Sequence, residues 1–323
     1  MIPLAVTAKN EEKAIGTCLR SLLAAVQWAE ERLPVRFDVV VVLDDCTDNT
    51  GEVAGQFDRV RTVVSTGGIV EAQRKIVGLA PFIIFSDADI LVQPATLYAV
   101  TLLMLDNPEV QVAYPKKSPV ACRRNTLLAR ALHTYNRVNG FQTRRHYFNG
   151  KLFAIRDWHV PTTAQLQPRL ECLPNDRFYD YHAGIRVDDI YLSRDILARL
   201  GAEAICQTDE GMVYYRPAET FVGMYRTYRR MRMEIERLDA IFPETIGTQR
   251  RYGKRGYDRE AVRRAPWQDR RLWRYFRLAL GVCRLLYRME RFYYKHLSTR
   301  TCVPWRPIEE SKIPVSCDTV RPA

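Results

Sequence analysis

Within residues 81–92, "PFIIFSDADILV", an apolar run ends in two carboxylates, Asp87 and Asp89. One residue apart in an extended segment, they project to the same side, because strand side chains alternate with period two. Two unpaired like charges at the end of a buried strand are costly, so the pair calls for a cation or for water. On this stretch alone two readings stay open: a cation seat, or an acidic turn facing solvent. Two more clusters follow apolar runs in the same way, "TAKNEE" at 7–12 and "LDDCTDNT" at 43–50. A fourth, "VDDIYLSRD" at 187–195, sets Asp188 and Asp189 before an apolar helical pattern. A carboxylate there can take a proton from a hydroxyl within hydrogen-bond reach, or can cap the helix.

The elements that must position these groups alternate between strand and helix. "IPLAVT" at 2–7 reads as a short buried strand, followed by a helix over "NEEKAIGTCLRSLLAAVQWAEERL" with Asn10 as its N-cap. "FDVVVVLDD" is a β-branched run of the kind covered on both faces in a parallel sheet. A second helix, capped by Thr47 or Asp48, leads to the strand "RVRTVVS". A glycine turn and the helix "GGIVEAQRKIVGLA" then lead to the strand "PFIIFSDAD". Strands alternating with helices imply βαβ units and a parallel sheet, whose ligands sit beyond the carboxyl ends of the strands. All three acidic clusters of this half lie at such ends. Further on come a helix near 94–106, a strand "VQVAYP", a basic helical stretch at 120–138, a strand in "YFNGKLFAIR", a helix after 188 and a strand within 202–217. No G-x-G-x-x-G follows a strand, so a dinucleotide fingerprint is not expected.

Taken in order, these stretches resemble family 2 glycosyltransferases of the GT-A fold. "TAKNEE" resembles that family's first-strand motif, "VVVVLDDCTDNT" its V-V-D-D stretch, and "GGIVEAQRKIVGLA" its G-x-x-x-A-R-N helix. "FSDAD" resembles its D-x-D, "FNGKLFAIR" its acceptor-side strand, and "VDDIYLSRDIL" its base motif. The resemblance covers roughly residues 2–215. It implies an α/β fold, a Rossmann-like mixed sheet flanked by helices, and an inverting transfer of one sugar from a nucleotide-sugar donor to an acceptor hydroxyl. It implies Mn²⁺ or Mg²⁺ as cofactor, with Asp89 and Asp87 as ligands. Such cations favour one or two carboxylates plus substrate phosphates, and stabilise a departing diphosphate. Thr7, Glu11, Asp44, Asp45 and Asp87 are implied on the nucleotide side, with Arg74 as a diphosphate clamp. Asp189 is implied as the base, with Asp188 in place of the usual Glu. The chain departs from the pattern at Lys75, where Asn is usual, and at Leu152, where the acceptor strand usually has Asn. The Q-x-x-R-W of processive synthases has no match in "MYRTYRRMRMEIERL", so a single transfer is expected. A nucleotidyltransferase on a similar sheet would want a basic, glycine-rich loop after the first strand, where this chain has acids. A non-catalytic lipid- or nucleic-acid-binding protein is the rival from another class.

Charge divides the chain. Residues 1–220 hold 25 Lys and Arg against 26 Asp and Glu, whereas residues 221–300 hold 21 against 8. We therefore expect a catalytic domain over 1–220, with a nucleotide-binding half to about 92 and an acceptor half from 93, and a basic, mainly helical extension over 221–323. Arg270, Arg274, Arg277, Arg284, Arg288 and Arg291 fall on one helical stripe. That stripe is expected either to meet an anionic membrane surface or to pack on the protein; nucleic acid is not expected. The scattered cysteines fit a reducing cytoplasm. A run of strand-like sequence at the start offers no secretory signal, and no stretch is apolar enough to span a bilayer. The expected place is the cytoplasm, peripherally at the inner face of a membrane.

Overall fold

Runs of Val and Ile without polar interruption bury both faces of a strand, and here they build the centre of one sheet. In the computed structural model, which describes residues 1–78, 80–137, 146–253, 259–302, 312 and 314, the strands β1 (Ile2–Ala8), β2 (Phe37–Asp44), β3 (Val60–Ser65) and β4 (Ile83–Asp87) pair in parallel. The helices between them are α1 (Ile15–Glu30), α2 (Thr50–Ala54) and α3 (Ile69–Arg74). The second half adds β5 (Ile90–Val92), α4 (Ala95–Asp106), β6 (Val112–Pro119), α5 (Leu127–Arg137), β7 (Leu152–Ile155), α6 (Thr163–Leu170), α7 (Asp188–Leu200) and β8 (Ile205–Tyr215). The strand order is β3-β2-β1-β4-β7-β6-β8-β5. β7 runs antiparallel to both β4 and β6, and β5 antiparallel to β8. The sheet is thus mixed, as expected for the GT-A class, with hydrophobic clusters on both faces.

Several local expectations need correction. α1 starts at Ile15, not beside Asn10. Asn10 has φ +57° and its side chain accepts from the Thr47 N–H at 2.7 Å. The Glu12 N–H donates to Asp48 and the Glu11 N–H to Thr50. Residues 10–14 therefore form a turn ahead of α1, stitched to the β2–α2 loop, with the Glu11 carbonyl accepting from the Ala14 and Ile15 N–H groups. Asp48 accepts from Thr50 without capping α2, whose N-cap is Asn49. α3 stops at Arg74, and the chain turns at Gly78 with φ +87°. β5 and α6 are additions to the expected elements, a three-residue strand and a helix with proline inside.

Beyond residue 220 the chain forms α8 (Phe221–Ile241), α9 (Ile246–Tyr252), α10 (Arg259–Arg264) and α11 (Trp267–His296). α8 is continuous with the core: its Met233, Leu238 and Ile241 join the cluster that holds Phe85, Phe153 and Ile190. Arg237, fully buried, pairs with Glu234 at 2.7 Å and donates to the Gly184 carbonyl at 2.6 Å. A boundary drawn at 220 thus cuts across one hydrophobic cluster. α11 lays Leu272, Phe276, Ala279 and Cys283 against α5 and α8, with the Tyr135 and Phe276 rings stacked at 3.8 Å. Residue 138 of the expected basic stretch, and all of 303–323 except Lys312 and Pro314, lie outside the described residues. Among the described residues no helix is long and apolar enough to cross a membrane.

Candidate active site

The parallel strands end together, and their last residues meet. Thr7 of β1 is in register with Asp87 of β4 and with Val42 of β2. Antiparallel pairing of β7 on β4 then brings Lys151 across from Asp87, whose N–H donates to the Lys151 carbonyl at 2.9 Å. The Lys151 ammonium lies between the two carboxylates, 2.8 Å from Asp87 Oδ2 and 2.9 Å from Asp89 Oδ1. Burial alone would lower the pKa of Lys151, but the Asp87 and Asp89 charges more than offset it and hold the group firmly protonated. Burial pushes the Asp87 carboxyl up, against the pull of Lys151.

Two carboxylates aimed at one point make a seat for a single cation. Their hard oxygen donors suit Mg²⁺ or Mn²⁺. Among the described residues no group of three or more His, Cys, Asp or Glu could hold a metal ion. A divalent cation seated between the two carboxylates would meet the Lys151 ammonium that lies there.

The acceptor-side carboxylates separate clearly. Asp188 is buried, accepts from Gln73 Nε2 at 2.5 Å, and Gln73 Oε1 in turn accepts from the Trp158 indole at 2.9 Å. Burial, and then the charge of Asp189, raise Asp188 to about 7. Asp189 is only half-buried; its Oδ2 accepts from the Gly150 N–H at 3.2 Å. A Cβ on residue 150 would sit 3.3 Å from that oxygen, so glycine permits the close approach. Neither aspartate caps α7, whose N-cap Val187 has an extended backbone. Arg230, from α8, faces the same cleft: burial lowers its pKa, opposed by the charges of Asp189, Asp87 and Asp89.

Glu11 lies within the field of the same pair, pushed up to about 7 by burial and by the charges of Asp89 and Asp87. Lys312 reaches it from the far end of the chain, pairing with Glu11 Oε1 at 3.1 Å and donating to the Lys9 and Asn10 carbonyls at 2.6 and 2.7 Å. Asp44 accepts from Lys9 at 3.2 Å and from the Gly68 N–H at 2.9 Å; Asp45 accepts from Lys9 at 3.4 Å. Gly67 and Gly68 have φ +98° and +93°, which only glycine adopts at low cost, so this turn can bring its N–H groups to the acids. Arg74 faces elsewhere, donating to the Val160 carbonyl at 2.8 Å, pairing with Glu71 and lying over the Trp158 ring. The diphosphate clamp expected of it would require those contacts to break.

The structure thus brings Glu11, Asp87, Asp89, Asp188 and Asp189 to one cleft, with Asp44, Asp45 and Thr7 along its β1–β2 edge. Reading by motif missed the Lys151 bridge, Gln73, Arg230 and Lys312. A lone lysine in a strand motif or an arginine in a basic helix carries no local signal. Each acquires its place from packing.

Residues 4–160 match the family model described as Glycosyl transferase family 2. No curated protein matches the chain. Similar solved structures include glucosyl-3-phosphoglycerate synthase from Mycobacterium tuberculosis in complex with Mn²⁺, UDP and glucosyl-3-phosphoglycerate. It is 18% identical, over 75% of this chain and 79% of that one, with a TM-score of 0.44. A mannosyltransferase from Pyrobaculum calidifontis, in complex with GDP-Man and Mn²⁺, is 18% identical over 76% of this chain and 64% of that one, with a TM-score of 0.46.

Proposed function

With residues 4–160 a family 2 glycosyl transferase segment, we propose that this glycosyltransferase moves a single sugar, with inversion and with Mn²⁺ or Mg²⁺, from a nucleoside diphosphate to an acceptor hydroxyl. The observation that carries the reading is the convergence of Asp87, Asp89 and Asp189 on one cleft that Arg230 also faces. Asp89 and Asp87 would hold the cation, which when bound with the donor supplies positive charge for the departing diphosphate. Lys151 and Arg230 add fixed positive charge beside the same carboxylates, the place where leaving-group charge would develop. Asp189, its rotamer set by the Gly150 N–H, takes the proton of the attacking hydroxyl. Asp188 is a positioning residue, held through Gln73 and Trp158 beneath it. Thr7, Glu11, Asp44 and Asp45 line the nucleoside side.

A cytoplasmic place accords with this reading, since all seven cysteines among the described residues are free. The test is a thermal-shift screen of nucleotide sugars with Mn²⁺, because a ligand of the native state raises the melting temperature. NMR of the product from the best donor then reads the anomeric configuration. An inverted glycoside supports the reading. A retained configuration, or pyrophosphate release from a nucleoside triphosphate, overturns it.

A further inference from the structure

α11 covers the protein with one face and leaves the opposite face bare. Its buried residues are Leu272, Trp273, Phe276, Ala279, Cys283 and Tyr287. On the far side Tyr275, Leu278, Val282, Leu285, Met289 and Phe292 follow one another at gaps of three and four, the spacing of a single helical stripe. They are strongly exposed, Leu278 at 68%, Leu285 at 58%, Met289 at 59% and Phe292 at 58%. Spanning residues 275–292, the stripe runs for about 26 Å. Scattered exposed apolar residues are ordinary, but a continuous row of large ones marks a surface that something covers.

The charges beside the row are of one sign. Arg271, Arg274, Arg277, Arg284 and Arg288 are exposed on the same bare side. The only acid in 270–296 is Glu290, and it turns inward to Arg229 at 2.8 Å and to the Tyr225 hydroxyl at 2.5 Å. Arg291 departs from the row, donating to the Tyr179 hydroxyl and pairing with Glu236. Among the described residues of 270–296, the bare face therefore has an apolar stripe, a flanking row of guanidinium groups and no carboxylate.

We propose that α11 lies in the surface of an anionic lipid bilayer, with Leu278, Val282, Leu285, Met289 and Phe292 in the acyl boundary and the arginines at the lipid phosphates. Long cationic side chains can keep their heads at that level while their stems lie along apolar surface. Trp267, 60% exposed at the start of the helix, suits the same interface. A second copy fits poorly, because self-pairing of the stripe would bring two arginine rows together with no carboxylate between them. The inference is independent of the transferase reading: vesicle binding requires no residue of the cleft.

The full chain is tested by flotation with vesicles of phosphatidylcholine alone or with phosphatidylglycerol added. Binding is expected only to the anionic vesicles, weakening with salt as exposed charges are screened. Two sets of exposed substitutions, Leu285→Gln with Met289→Gln and Phe292→Gln, and Arg274, Arg277, Arg284 and Arg288 each to Gln, should each weaken it about tenfold or more. Both variants must keep the wild-type melting temperature, so that loss of fold is separated from loss of docking. Absence of binding to anionic vesicles at low salt overturns the proposal. So does equal binding to neutral vesicles, or a dimer in sedimentation that the leucine, methionine and phenylalanine changes abolish.

Discussion

Replacing Asp188 by Asn should stabilise the protein at alkaline pH and not at acid pH. The carboxyl is raised from its ordinary 3.8 to about 7, first by burial and then by Asp189. Between those values the native state holds a proton that the unfolded chain has released. Stability therefore falls as pH rises through that window. At ~1.36 kcal/mol per pH unit the gap amounts to ~4 kcal/mol if Asp188 carries it alone, and to ~2 kcal/mol if the charge is shared with Asp189. Asparagine is neutral throughout and keeps an oxygen for Gln73 Nε2, the contact made at 2.5 Å. Urea unfolding of both proteins at pH 4, 5, 6, 7 and 8 should give stabilities that nearly coincide at pH 4. They should diverge by ~2–4 kcal/mol at the alkaline end, with unchanged m-values. The difference between variant and wild type isolates this group from the other carboxylates. A difference that stays flat across the pH range would refute the buried, raised carboxyl.

Three further outcomes test the cleft. Asp189→Asn should keep its melting temperature and donor affinity while transfer slows by about 10²–10⁴, and Asp188→Asn should lose far less; steady-state kinetics on both, with a true acceptor, decides between them. Asp89→Ala should abolish the Mn²⁺ dependence of nucleoside diphosphate binding in calorimetry without unfolding the protein, and dependence that persists refutes the seat. Lys151→Gln removes the ammonium held 2.8 and 2.9 Å from the two carboxylates. Mn²⁺ should then bind without nucleotide at least about tenfold more tightly by electron paramagnetic resonance, a gain of ~1.4 kcal/mol; unchanged affinity means that Lys151 does not compete for that position.

Much of the architecture was legible because its signals are local. Apolar runs at 2–8, 37–44 and 83–87 are short and bounded by polar residues, which reads as buried strands, and the acids that follow then lie at the strand ends. The resemblance of six ordered motifs then suggested what such ends hold. Boundaries failed where long-range bonds override local preference. Asn10 has the look of an N-cap, yet a hydrogen bond to Thr47, far along the chain, draws it into a loop.

Residue type and spacing alone place carboxylates at strand ends, an aspartate pair at the opening of a helix and a basic stripe through 270–291. Periodicity and residue type suffice for that, since they act between near neighbours. Which partner each charge has depends on how the chain folds. β7 had to pair with β4 to put Lys151 between Asp87 and Asp89. α8 had to enter the common core to aim Arg230 at the cleft. Asp188 and Asp189 are alike in sequence, and packing alone buries the first and leaves the second open. The arginines of α11 could equally have packed inward; Phe276 and Cys283 took that face and left Arg274, Arg277, Arg284 and Arg288 outside with the apolar row, while Arg291 turned to Glu236. Burial and charge proximity depend on residues distant in the chain, so they exist only once it has folded.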